Sequence, residues 1–144
     1  MRGGQVSVEY LIIVGVALGL LIPAVIFFYS YSKSSDASAV SSQINDIGLQ
    51  ALSHVQSTYA LGRNSRQTME FNMPDVVQHV YVNGQELVFV YETELGRSEA
   101  VFFSTIPMIT NDTIDGNISD VHPGLTNYRF DSFGSTVKIT EAFT

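Results

Sequence analysis

Chemistry-bearing side chains are few in this 144-residue sequence, and their spacing narrows what they can do. There is no cysteine, so neither a disulfide framework nor a thiolate metal site is available. The three histidines, His54, His79 and His122, fall in segments that read as a helix, a strand and a loop, without metal-ligand spacing. His79 lies among Val77, Val80 and Tyr81 and reads as an ordinary strand histidine. No nucleophile motif, phosphate loop or paired-carboxylate pattern stands out, so the sequence reads as a non-enzyme, with no metal and no cofactor expected. Asn111-Asp112-Thr113 and Asn117-Ile118-Ser119 are two candidate N-glycosylation sequons. The surrounding NDTIDGNISD faintly resembles a calcium loop, but His122 stands where the closing glutamate is needed, which favours a solvated polar loop. The carboxylate that asks for an explanation is Glu9, set after Gly3, Gly4 and Gln5 at the edge of a long apolar run.

The elements that must hold these residues follow from composition. Residues 10–29 (YLIIVGVALGLLIPAVIFFY) carry no charge, and about twenty apolar residues cross a bilayer core as a helix. Residues 30–144 carry thirteen acidic and six basic side chains. That balance disfavours nucleic acid, which needs a basic surface, and it disfavours an anionic membrane surface for this part of the chain. Arg2 and the initiator amine precede the apolar run and the acidic bulk follows it, so residues 1–9 are expected in the cytoplasm and residues 30–144 outside. A secretory signal peptide would have a shorter apolar core and a nearby small-residue cleavage site; the Ala-x-Ala here (Ala37-Ser38-Ala39) lies well beyond the run. A retained signal anchor and a processing site placed ahead of the apolar segment remain.

The stretch Gly4-Gln5-Val6-Ser7-Val8-Glu9-Tyr10-Leu11 resembles the class III signal peptide of euryarchaeal type IV pilin-like proteins. That family has a short basic leader ending in Gly, then Gln-x-Ser-x-Glu-(Tyr/Phe)-Leu and a hydrophobic helix. The resemblance implies cleavage by a prepilin peptidase between Gly4 and Gln5, with loss of residues 1–4. It also implies that Gln5, Glu9 and Tyr10 take part in assembly. The same motif points to the pilin branch rather than to the swimming-filament subunits. It spans about eight residues directly, and no other motif of the chain is recognised.

A helix freed of its leader can leave the bilayer and pack with others in a filament core, since both surroundings exclude water. An ionised Glu9 in such a core costs several kcal/mol unless paired. Cleavage would create an α-amino group on Gln5, four residues away on the same helix face, as a partner in this subunit or its neighbour. Cyclisation of Gln5 would remove that charge, and Glu9 would then need protonation or a hydrogen bond. Without the motif, Glu9 reads as an acid at the headgroup level. Gly15 and Gly19 form a G-x-x-x-G suggestive of close helix contact, and Pro23 removes a backbone donor and is expected to kink or loosen the helix.

Beyond the run, Val40, Ile44, Ile47, Ala51 and Val55 recur at helical spacing, and Gly62 reads as a helix stop. Residues 30–61 read as an amphipathic continuation of the helix; the serines of residues 30–42 are poor helix formers and leave two alternatives, a break between the two halves or an unbroken helix over residues 5–61 of about 85 Å. From Arg66 the period becomes two. Strands are expected near residues 68–71, 76–82, 85–93, 98–106, 128–133 and 136–143. Asn83-Gly84 reads as a hairpin turn with both residues at positive φ, and further turns are expected at Leu95-Gly96 and Gly134-Ser135. Residues 107–126 read as a long loop.

The expected fold is α+β: a long N-terminal hydrophobic helix, like the spine of type IV pilins, packed on a small antiparallel β-sheet head of five or six strands. Its expected divisions are residues 1–4 (leader), 5–29 (membrane or filament-core helix), 30–62 (amphipathic helix) and 63–144 (head). The resemblance implies a structural subunit that polymerises through its N-terminal helix into a cell-surface adhesion pilus. It implies a prepilin peptidase and pilus assembly machinery as partners, and a membrane-inserted precursor. The alternatives are a single-pass anchored extracellular binding domain and a minor pilin outside the filament bulk.

Overall fold

In the computed structural model the described residues are 3–94, 96–111, 116–120 and 123–142. One helix, α1, occupies Gly3–Ala60. It continues without interruption through Pro23 and through the serine-rich stretch, so of the two alternatives, a break or an unbroken helix, the structure has the second. Continuing a helix adds one hydrogen bond per residue fixed, whereas restarting it costs a new nucleus, so a weak helix-forming stretch between two strong ones stays helical. The end comes where a stop is legible. Gly62 has φ 93° and its N–H donates to the Tyr59 carbonyl at 3.0 Å, while the Ser65 hydroxyl lies 2.7 Å from the Thr58 carbonyl oxygen. Asn64, at φ 68°, is the non-glycine residue with positive φ among those described, a conformation Asn tolerates.

The chain divides into two compact units, Met1–Asp36 and Ala37–Thr144. The second holds the remainder of the helix and eight strands: β1 (Arg66–Met73), β2 (Val77–Asn83), β3 (Glu86–Thr93), β4 (Gly96–Phe103), β5 (Met108–Ile109), β6 (Asn117–Asp120), β7 (Gly124–Ser132) and β8 (Val137–Glu141). They form two four-stranded sheets, β1-β7-β8-β5 and β4-β3-β2-β6. All pairings are antiparallel except β5 with β8. This is the α+β layout expected, with two corrections. Among the described residues the head has two sheets and eight strands where one sheet of five or six was expected, and the supposed loop 107–126 contains β5 and β6 and the start of β7.

The hairpin at Asn83-Gly84 is present but displaced by one residue. Asn83 pairs with Glu86, so Gly84 and Gln85 form the loop, and only Gly84 has positive φ, at 62°. Positive φ at the first loop position alone is the type II′ arrangement, which suits Gly there and needs nothing unusual of Asn83. The turn at Gly134 is found as expected, with Ser132 paired to Val137 across it and φ 93° at Gly134.

The core sits between the helix and both sheets. Ile44, Ile47, Ala51 and Val55 are buried on one helix face, against Phe71, Phe89, Phe102, Tyr128, Phe130 and Ile139 from the strands. Gly48 lies on this face because a Cβ there would collide with the Phe102 ring, which is itself set edge-on to Phe89 at 5.7 Å. Polar contacts fix the register: Ser41 Oγ and the Tyr91 hydroxyl are 3.2 Å apart, and Gln43 donates to the Asn72 carbonyl at 3.1 Å. The interior void between Ile47, Phe71, Phe89 and Phe130 is about 10 Å³, at most the room of one water.

Candidate functional site

In the unit Met1–Asp36 the apolar run lies on a single helix. Sixteen large apolar or aromatic side chains from Val8 to Tyr31 are each more than half exposed. Burying one such side chain fully is worth roughly 1.5–3 kcal/mol, so removing this surface from water is favourable by tens of kcal/mol. A helix apolar on every side belongs in a lipid or protein interior. The uncharged stretch runs from Tyr10 to Ser32, 23 residues; at 1.5 Å per residue this is about 35 Å, against about 30 Å of bilayer hydrocarbon. The helix is long and apolar enough to cross a membrane, as an anchor or a signal sequence would be.

Both ends of the stretch carry polar groups. At its far end the Lys33 ammonium lies 4.7 Å from the Tyr29 ring centre, one turn back, a cation–π contact beside Tyr31. At its near end Glu9 and Tyr10 are exposed. Gly4 and Gln5 lie in the first turn of the helix, and Gln5 and Glu9 are four residues apart on it. The first N–H groups of a helix have no internal acceptor, so loss of residues 1–4 would leave the ladder from Gln5 onward complete. Gly15 and Gly19 have open space where side chains would be.

The other sequence-derived candidates are scattered. Asn111 is exposed beyond β5. Asn117 lies on β6 opposite Tyr81, half-buried, and its Oδ1 is buried with no hydrogen-bond partner among the described residues. A strand position with its amide turned inward is a poorer acceptor for a glycan than an exposed bend. Residues 112–115, which complete the first sequon, and His122 lie outside the described residues. His54 packs against Phe71 and Phe130, with Nδ1 3.4 Å from Gln67 Oε1, while His79 is exposed on β2. No group of three metal-ligating side chains occurs among the described residues.

One cluster was not legible. Arg66 of β1, Asp131 of β7 and Lys138 of β8 stand in one row by strand register, with Arg129 two residues from Asp131. Asp131 accepts from Arg66 Nε through Oδ1 and from Arg129 Nε through Oδ2, the latter at 3.0 Å. These residues border a groove of about 450 Å³. The only sequence signal is that they alternate on strands that turn out to be neighbours.

No protein-family model, no curated protein and no solved structure matches the chain.

Proposed function

We propose that the protein is a type IV pilin-like filament subunit, processed between Gly4 and Gln5 and polymerised through its N-terminal helix into a cell-surface pilus. The observation that supports this most is the single uninterrupted helix of 58 residues, with sixteen large apolar or aromatic side chains exposed between Val8 and Tyr31 and its last part docked on a β head. Such a helix meets the requirements of both membrane storage and a filament core. Glu9 is the one charge within it before Lys33. In an apolar core it needs a partner, and the α-amino group of a chain beginning at Gln5, one turn away, supplies one.

The test is the native N-terminus. Mass spectrometry of the protein from its own cells is expected to find a chain beginning at Gln5. Retention of residues 1–4, or a start at Val40, sinks the reading and leaves a membrane-anchored ectodomain or a secreted one. With cleavage established, Glu9→Ala is expected to cut filament yield in electron micrographs severely while the head still folds; wild-type yield would remove Glu9 from assembly.

A further inference from the structure

The unit Ala37–Thr144 carries twelve acidic and five basic residues. Against that excess, three of the five bases, Arg66, Arg129 and Lys138, line one groove. A fourth, Arg63, lays its stem over Gly134, next to Phe133 on the same groove. Asp131 is the acid among them, and its side chain is largely buried, 14% exposed. Each of its oxygens holds one guanidinium by Nε. Held in that way, Arg66 and Arg129 keep both Nη groups for an outside acceptor, and Lys138 has no partner among the described residues. Guanidinium edges held by a carboxylate lose little freedom on binding a second oxyanion, and they match carboxylate or sulfate geometry. Phe133, half exposed beside these cations, offers an apolar face.

We propose that this groove binds an acidic saccharide, with a carboxylate or sulfate held by Arg66, Arg129 and Lys138 and a sugar ring lying on Phe133. A concave site lined by cations and one aromatic ring suits a single projecting anionic group on a ring with an apolar face. The site lies wholly within the head unit and does not depend on polymerisation.

Full-length protein in neutral detergent micelles, titrated calorimetrically at low salt, is expected to bind a heparin hexasaccharide or an oligogalacturonate and not maltohexaose. The two acidic probes separate sulfate from carboxylate as the preferred group. Binding should weaken with added salt. Lys138→Glu is expected to lower affinity about tenfold or more. Lys138→Gln, which places no second acid opposite Asp131, should lower it in the same direction with an unchanged melting curve. Arg97→Glu, on the other sheet, should leave it unchanged. Failure to bind either acidic probe, equal binding of maltohexaose, or equal losses at positions 97 and 138 would overturn the proposal. So would salt-sensitive self-association through position 138 without saccharide binding, which would assign the groove to a second copy of the chain.

Discussion

Gln67 ties the end of the helix to the first strand through one atom. Its Oε1 accepts from Ser57 Oγ at 2.8 Å and from Thr58 Oγ1 at 3.0 Å, and Thr58 is fully buried. Removing the acceptor strands a buried hydroxyl, so Gln67→Ala is expected to destabilise the protein by about 1–3 kcal/mol in chemical denaturation. Pairing it with Thr58→Val should recover much of that loss, because the orphaned donor is then gone. A double variant no more stable than the single one would show that Gln67 acts by packing instead. At this scale the sequence is readable where a residue's meaning is local. Glu9 stands out beside its apolar run, and the sequons are triplets. Gln67 and Asp131 are ordinary polar residues until the fold gives them partners, for Gln67 the hydroxyls at the end of the helix and for Asp131 an arginine 65 positions away on a paired strand, and nothing in their neighbours announces it.

Among the elements, the helix and the long strands follow from periodicity, since the buried stripe of Ile44, Ile47, Ala51 and Val55 is a 3.6-residue pattern and β7 alternates from Leu125 onward between half-buried or exposed and buried positions. The short strands were hidden. β5 has two residues and β6 four, too few for a period to register, and each exists because a neighbouring strand edge needs partners. The contact of helix with sheet depends on a missing side chain at Gly48. Gly48→Ala is expected to cost about 1–3 kcal/mol by overpacking against Phe102, despite alanine's better helix propensity. Gly48→Ala with Phe102→Leu should be more stable than Gly48→Ala alone. A Gly48→Ala variant that melts at or above the wild-type temperature would contradict this packing.

For the molecule as a whole, the division at Asp36 separates two surfaces with opposite needs. The core residues Ile44, Phe71, Phe130 and Ile139 all belong to Ala37–Thr144, whereas the outward apolar residues of the helix run from Val8 to Tyr31. A chain beginning at Ala37 is therefore expected to be soluble without detergent and to melt in one cooperative transition by circular dichroism. The complete chain should require detergent or lipid. Aggregation or non-cooperative melting of the shortened chain would mean that the first unit supports the fold of the second.

The strand order also sets a timetable. β1 lies at a sheet edge, and its one neighbour is β7, so Arg66 meets Asp131 across 65 positions of sequence. A chain made from its N-terminus has its helix early and β2, β3 and β4 soon after, because their pairings are between successive strands. β1 has no strand to join until residues 124–132 have been made, and loop closure over such a distance must precede any gain from the contacts. The buried stripe of the helix thus waits, incompletely covered, for β7 and β8 at residues 124–141. Ribosomal stalling or premature release before β7 would yield an N-terminal piece that keeps the whole apolar helix but lacks β7 and β8, the two strands that connect β1 to the rest of its sheet.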